Sequence, residues 1–469
     1  MNNKVSKKDF LVLKGPVGEI DVPVDNPFKY DELDREPEIT ALTHVIRLYQ
    51  NGAVIALDGA WGTGKTTFVK LWKQELENNG FPVIYYNAWE DDVCEEPLFS
   101  MIKGLRSVSK DESRYDGFVE KAGRFIAGAV FGAVKSVAGV WGDTVSGAVK
   151  GGVEQLEKDC IDSLKSKDTT STLLSEFKDT LRDYLSSCEK KCPLVYFVDE
   201  LDRCNPTFAV KVLERIKHLF EVPNVVFVLS IDKKQLELSI NGYFGSDKFD
   251  SKEYLRRFID IEYPLRSSSI GYSSFLLEKY GILQYARNIG PNSEHYLKSM
   301  CRLLYYYNIT LRQVEKVFLL VQLVLSNSHC EGKRDDTELF IPIYIFLAYL
   351  KVCNLKCFQN IMNKRYSLQE LVDELESMMS LKEDPYNYED LEQLSLNMLT
   401  ILSCYHKCLN SDMELLHDEK ENTFNKLRKL KYNKIDITQV SQNRELIVKN
   451  TFDIRIFGLR LELYNFGEN

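Results

Sequence analysis

The sequence predicts an α/β fold, a parallel sheet wound with helices and followed by a mainly α-helical C-terminal region. Three observations carry this. Short apolar runs rich in Val, Ile, Phe and Tyr recur at Ala53–Leu57, Val83–Tyr86, Leu194–Val198, Val225–Ile231 and Phe258–Tyr263, and runs of that length bounded by turn residues are strands buried on both faces. Amphipathic stretches such as Phe68–Asn78 and Ala209–Phe220 lie between several of them, as the crossovers of a parallel sheet require. After Leu265 the strand signal fades, and helical spacing takes over at Tyr272–Tyr280, Glu294–Tyr306, Leu311–Leu325, Ile341–Leu350 and Leu368–Met379.

In chain order, residues 1–30 form an N-terminal extended arm, because residues 10–28 alternate and carry Gly15, Pro16, Gly18, Pro23 and Pro27, the pattern of a short hairpin. Residues 31–265 form the sheet domain, which opens with helical spacing from Asp31 to Gln50. Residues 266–330 are a helical lid region and 331–469 a helical C-terminal domain. Alternation at Phe452, Ile454 and Ile456 predicts a final hairpin or edge strands within Leu446–Phe466. The sheet domain carries a Gly/Ala-rich insert at about residues 119–153. Its Gly128-x-x-x-Gly132 spacing suits close helix packing, but Arg124, Lys135 and Asp143 break the apolar run that a spanning helix needs. A soluble helical hairpin or a membrane-surface segment are the two readings.

Composition narrows the class of protein. With 44% hydrophobic and 28% charged residues, the 469-residue chain is neither a fibre, a disordered tail nor a disulfide miniprotein. Its net charge of −9 argues against a chain whose main work is to coat nucleic acid or an anionic membrane. The basic cluster Lys426, Arg428, Lys429 and Lys431 is then read as a solvated helical face. Eleven cysteines and a polar, lysine-bearing start predict a reducing cytoplasm and no secretory signal. The pairs Cys188/Cys192, Cys353/Cys357 and Cys404/Cys408, the last with His406 between, have helical spacing and lie in apolar stretches. They are read as buried structural thiols rather than metal ligands.

The chemistry concentrates where the strands end. Gly59-Ala60-Trp61-Gly62-Thr63-Gly64-Lys65-Thr66 fits G-x-x-x-x-G-K-[ST] and sits between the strand Ala53–Leu57 and the helix opened by Thr67 and Phe68. Glycines let the backbone N–H groups turn inward on phosphates, and the helix N-terminus adds its positive end. Lys65 can reach the β and γ phosphates, and the Thr66 hydroxyl can bind magnesium. The strand Leu194–Val198 delivers Asp199 and Glu200. Asp199 is the expected magnesium ligand, and Glu200 is either the base for an attacking water or a first-turn charge near Asn205 and Pro206. Asp232, at the end of Val225–Ile231, is placed to sense the γ phosphate or position water. Arg256 and Arg257 are candidates for an arginine finger across a subunit interface, or pair with Asp250 or Glu253 on their own surface. Arg312 either reaches the phosphates from the helical half or is solvated.

Leu194-Val-Tyr-Phe-Val-Asp-Glu-Leu-Asp-Arg-Cys204, together with Tyr254-Leu-Arg-Arg-Phe-Ile-Asp-Ile-Glu-Tyr-Pro-Leu265, resembles the KAP family of P-loop NTPases. The loop Gly-Ala-Trp61-Gly-Thr-Gly-Lys, the Asn87-Ala-Trp89 segment and the Asp31-x-Leu33-x-Arg35 box are also similar to that family, over about residues 25–325. The resemblance implies an additional-strand core with sheet order 5-1-4-3-2, magnesium-dependent hydrolysis of ATP and a helical region behind it. It also implies membrane attachment in many members through helices between the two phosphate motifs, an interval that here holds the charge-broken glycine-rich insert. Glu200 departs from the Asp that many members carry there. Bacterial members are linked to phage exclusion, so the resemblance implies a nucleotide-driven switch, expected in anti-phage defence. An arginine finger in trans at Arg256 or Arg257 would require a homo-oligomer, and because the sequence carries no effector motif a partner effector protein is expected. The alternatives are a nucleotide-bound scaffold with little turnover, and a signalling protein that acts at a membrane.

Overall fold

A computed structural model of the chain describes residues 14–18, 20–49, 51–93, 97–109, 111–131, 169–187, 193–219, 222–245, 249–265, 269–289, 293–307, 309–328, 340–378, 388–409, 430 and 454–462. The chain divides into two compact units, Ile20–Arg266 and a second made of Met1–Glu19 with Ser267–Asn469. The split differs from the four segments expected, since residues 20–30 go with the sheet and 1–19 go with the helices. Residues 267–330 and 331–469 fall in the same unit.

The first unit is built on five parallel strands, β1 (Ala53–Asp58), β2 (Val83–Asn87), β3 (Leu194–Asp199), β4 (Val225–Ile231) and β5 (Ile261–Pro264), in the order β2-β3-β4-β1-β5. This is the additional-strand order that the resemblance implied. β3 and β4 are buried at every position, as their unbroken apolar runs require of strands covered on both faces. Successive residues feed opposite cores. Val195 and Phe197 of β3 join Phe68, Leu71 and Trp72 of α2 (Lys65–Asn78), whereas Leu194, Tyr196 and Val198 join Leu98, Phe208 and Leu213 on the other side. Trp72 is fully buried and edge-on to Phe68 and Phe197, with its indole N–H donated to Thr43 Oγ1 at 3.1 Å.

Helices α1 (Glu36–Leu48), α3 (Pro97–Gly104), α4 (Glu112–Phe131), α5 (Thr169–Ser187), α6 (Pro206–Leu219), α7 (Lys233–Phe244) and α8 (Ser251–Arg256) complete this unit. Glycine-rich residues 119–131 lie within α4; residues 132–153 lie outside the described residues. Two expectations are corrected here. Strand β5 begins at Ile261 rather than Phe258, because the N–H groups of Phe258 and Ile259 bond to the Leu255 carbonyl and carry a buried turn on from α8. The predicted hairpin near the N-terminus is not a strand pair among the described residues: residues 26–31 make turns closed by Lys29 N–H to Asn26 O and Asp31 N–H to Phe28 O.

The second unit is helical: α9 (Ser269–Lys279), α10 (Ile282–Arg287), α11 (Ser293–Tyr306), α12 (Leu311–Ser328), α13 (Phe340–Cys353), α14 (Leu355–Met362), α15 (Leu368–Met378), α16 (Tyr388–Leu409) and α17 (Ile454–Glu462). Residues 341–350 of α13 are all buried, so this helix is apolar all round and forms the centre of the unit. The tail corrects another expectation. Phe452, Ile454 and Ile456 alternate in sequence, yet Ile454–Glu462 is a helix, and buried residues at 454, 458 and 461 have the spacing of one helical face. Cys301, Cys357, Cys404 and Cys408 are buried and Cys353 half-buried, and no metal-binding cluster exists among the described residues. Cys188 and Cys192 lie outside them. No described helix is long and apolar enough to cross a membrane.

Candidate active site

The loop of residues 59–64 joins the carboxyl end of β1 to the first turn of α2. Gly59 N–H donates to the Ile231 carbonyl at 3.0 Å, which ties the loop to the end of β4. A side chain at Gly59 has no room, since a Cβ there would lie 2.8 Å from Thr63 Oγ1. The Thr63 hydroxyl in turn donates to the Ala60 carbonyl at 2.8 Å. Gly62 and Gly64 take φ of +84° and +87°, the left-handed region that glycine enters without strain. Helix α2 begins at Lys65, so its unpaired N–H groups and positive dipole end face the loop, with Thr66 and Thr67 half-buried in that first turn.

Lys65 is 9% exposed and donates from Nζ to the Gly59 carbonyl at 2.5 Å. Burial pulls its pKa below the ordinary lysine value, while Asp202, Asp232 and Asp199 oppose the shift in that order. One lysine therefore lies among three carboxylates contributed by the ends of β3 and β4. Asp199 is buried, accepts Tyr85 O–H on Oδ2 at 3.1 Å, and accepts the Glu200 N–H on Oδ1 at 3.0 Å. Burial, with Asp199 next, drives the Tyr85 pKa far up, so Tyr85 stays a donor.

Glu200 takes a φ of +61°, a left-handed conformation that costs a non-glycine residue about 1 kcal/mol or more and is found where a side chain must be aimed. Its carboxylate pairs with Arg203 at 2.9 Å, and the Arg203 guanidinium lies over the Trp89 ring, 5.6 Å from the centroid. Burial raises the Glu200 pKa, Arg203 lowers it, and Asp199 and Asp202 add to the rise. Asp232 reaches the site too, but it also caps α7 by accepting the Gln235 N–H at 3.3 Å.

Within the sheet unit, the structure does not bring Arg256 or Arg257 to these groups. β5 runs parallel to β1, and the Asp260 N–H bonds to the Val54 carbonyl, four residue steps or about 13 Å of strand before the loop. Arg256 and Arg257 precede that point, so they lie at the amino edge of the sheet, opposite the loop. Both are exposed, and Arg256 pairs with Glu253 at 3.4 Å. Arg312 is an exposed residue of α12 in the other unit.

The site suits a phosphate chain and a hard cation. Its cradle is one that a Cβ at Gly59 would fill, and the Thr66 hydroxyl and Asp199 carboxylate are the oxygen donors that magnesium takes. Ser230, the register partner of Asp199, has a fully buried hydroxyl with no hydrogen-bond partner among the described residues.

Four residues of this site were not anticipated as individuals from the sequence. Tyr85 and Ser230 read there as ordinary strand positions. Asp202 and Arg203 were visible within the Leu-Asp-Arg-Cys run but carried no stated role. Asp202 is 5% exposed and accepts the Trp61 indole N–H at 2.5 Å. Burial raises its pKa and Lys65 lowers it.

A parallel sheet of this order, with a glycine loop on β1 and paired acids on β3, defines an additional-strand P-loop NTPase. The family model described as "KAP family P-loop domain" matches residues 35–326, and the chain belongs to that family. Among solved structures, the chain is similar at 12% identity and a TM-score of 0.31 to a crystal structure of a DNA replication initiation factor, covering 94% of this chain and 97% of that one. It is similar in the same degree, 12% identity and a TM-score of 0.31, to the Aeropyrum pernix ORC2 protein in ADPNP-ADP complexes, covering 90% of this chain and 95% of that one. No curated protein matches the sequence.

Proposed function

We propose that the chain is a magnesium-dependent ATPase whose cycle drives a conformational or assembly switch. One observation carries the reading: Glu200 follows the buried Asp199 at the carboxyl end of β3, on a strained turn, in the site that also holds Lys65. The backbone N–H groups of the loop and of the first turn of α2 bind and orient the triphosphate, and Lys65 leaves the Gly59 carbonyl for the β and γ oxygens. Thr66 and Asp199 would hold the cation, which would supply positive charge to neutralise the charge that develops on the phosphates. Glu200 takes a proton from the water in line with the γ phosphate, and its raised pKa suits a base. Asp232 distinguishes the triphosphate from the diphosphate, and loss of the γ phosphate releases the groups ordered around it. Homo-oligomers, a partner effector and a role in anti-phage defence belong to this proposal as its setting. The resemblance of the motifs to the family supports the defence role, and the trans-finger reading of Arg256 and Arg257 supports the homo-oligomer.

The test is phosphate release by purified protein with ATP and magnesium, comparing wild type with Glu200→Gln and measuring nucleotide binding in both. Turnover by wild type, with a variant that binds ATP but is slowed at least about 100-fold, supports the reading. Wild-type turnover in the variant removes Glu200 as the base. The Arg203 ion pair favours a second reading, a scaffold that binds nucleotide and turns it over little, because the carboxylate is engaged until that pair opens. Binding without hydrolysis in both proteins is the result that reading expects.

A further inference from the structure

Asp202 is a carboxylate that the fold buries to 5% exposure. The turn Leu201–Arg203 is flanked by fully buried Leu201 and by Cys204 at 4% exposure, and a carboxylate in such a place is destabilising unless it is paired. Its pairing is long-range. The Trp61 indole N–H, 141 residues away in sequence, donates to its Oδ2, and among the charges acting on the Lys65 ammonium that of Asp202 comes first. Both partners belong to the phosphate loop or the helix turn that follows it. Trp61 is 45% exposed, so burial does little to fix its indole, and the bond to Asp202 is what sets the ring's direction. Nothing in the hydrolytic chemistry uses Asp202 or Trp61.

We propose that Asp202 is a positioning residue of the nucleotide site: through Trp61 it fastens the crest of the phosphate loop to the turn that carries Asp199 and Glu200, so that the loop and the acids are held as one preformed cradle. The inference rests on the nucleotide-binding reading above. It makes the tryptophan of the loop a structural tie, and it predicts that the tie is seen in ATP affinity without any need for turnover. Loss of one hydrogen bond to a charged acceptor should weaken binding about tenfold.

Removing Asp202 also removes a negative charge near the triphosphate, which can strengthen binding for an unrelated reason, so the test separates charge from hydrogen bond. ATP affinity is measured by titration calorimetry for wild type, Asp202→Asn and Asp202→Ala, each with and without Trp61→Phe. Asparagine keeps an oxygen that accepts the indole N–H and loses the charge; alanine loses both. The expected result is that Trp61→Phe weakens ATP binding about tenfold in the wild-type background, by a smaller factor of about threefold in the Asp202→Asn background, where the acceptor is neutral, and not at all in the Asp202→Ala background. Melting temperatures of all six proteins distinguish a loosened loop from a failed fold, and Trp61→Phe is expected to leave its background unchanged. Equal losses from Trp61→Phe in all three backgrounds would overturn the role of Asp202 alone. Absence of ATP binding by wild type would overturn the nucleotide-site reading with it.

Discussion

Gly59→Ala puts a methyl group into the tightest point of the phosphate loop. The new Cβ would lie 2.8 Å from Thr63 Oγ1, 3.4 Å from Leu265 Cβ and 3.5 Å from Lys65 Cγ, so only the first contact is a clash. Thr63 is 7% exposed and its hydroxyl already donates to the Ala60 carbonyl. As a β-branched residue it has few rotamers to retreat into. Moving that oxygen sacrifices a hydrogen bond worth about 1 kcal/mol, and crowding in a packed site adds about 1–3 kcal/mol. The strain falls on the loop that binds phosphate, so an effect of about 2–4 kcal/mol is expected as a loss of ATP affinity of roughly 30- to 1,000-fold. Calorimetric titration with ATP and magnesium measures it, with circular dichroism to check the fold. Thr63→Ala in the same protein removes the oxygen that clashes, and the double variant should recover much of the lost affinity. A Gly59→Ala protein that binds ATP as wild type does would refute the argument, as would a double variant that recovers nothing.

Two further outcomes follow from placement and burial. Arg257→Ala should leave ATP affinity within about twofold of wild type, because Arg257 lies at the amino edge of the sheet. If it serves as a finger in another subunit, turnover falls only at concentrations where the wild type assembles, and a loss of affinity in dilute protein would contradict the placement. Burial pushes the Cys301 and Cys357 thiols from 9.0 up to about 12, which favours the protonated form in the folded chain. Their contribution to stability is therefore present below the unfolded value and is lost as the pH rises from about 9 toward about 12. The melting temperature of the full chain should fall in that window, and alkylation of these two thiols should accompany unfolding; rapid labelling of the native protein at neutral pH would show them accessible.

Much of this architecture can be read from local pattern because the physics behind it is local. A strand covered on both faces must be a short apolar run, and β3 and β4 are buried throughout. The loop of residues 59–66 is fixed by steric needs that only glycines at those spacings meet. Where apolar residues serve an irregular segment the pattern misleads: Phe258 and Ile259 are buried in a turn. Phe452, Ile454 and Ile456 imitate a strand, although the helix buries residues 454, 458 and 461. The tie between Trp61 and Asp202 is invisible to any local rule, since it exists only once β1 and β3 lie in one sheet. The edge on which Arg256 and Arg257 lie follows from strand direction. Residues that precede a strand parallel to β1 stand at the end away from the loop, and that direction is known only with the pairing.

The sheet order also sets a schedule for synthesis. β1 takes its hydrogen bonds from β4 on one side and β5 on the other, and its β4 partners leave the ribosome roughly 170 residues later, about 10–35 s at ordinary elongation rates. Through that interval the strand that carries the phosphate loop is an unpaired apolar segment of a growing chain. The loop cannot be closed either, because the Gly59 N–H waits for the Ile231 carbonyl. Nascent chains that end before about residue 230 should therefore be the form most prone to chaperone capture and to aggregation through this strand.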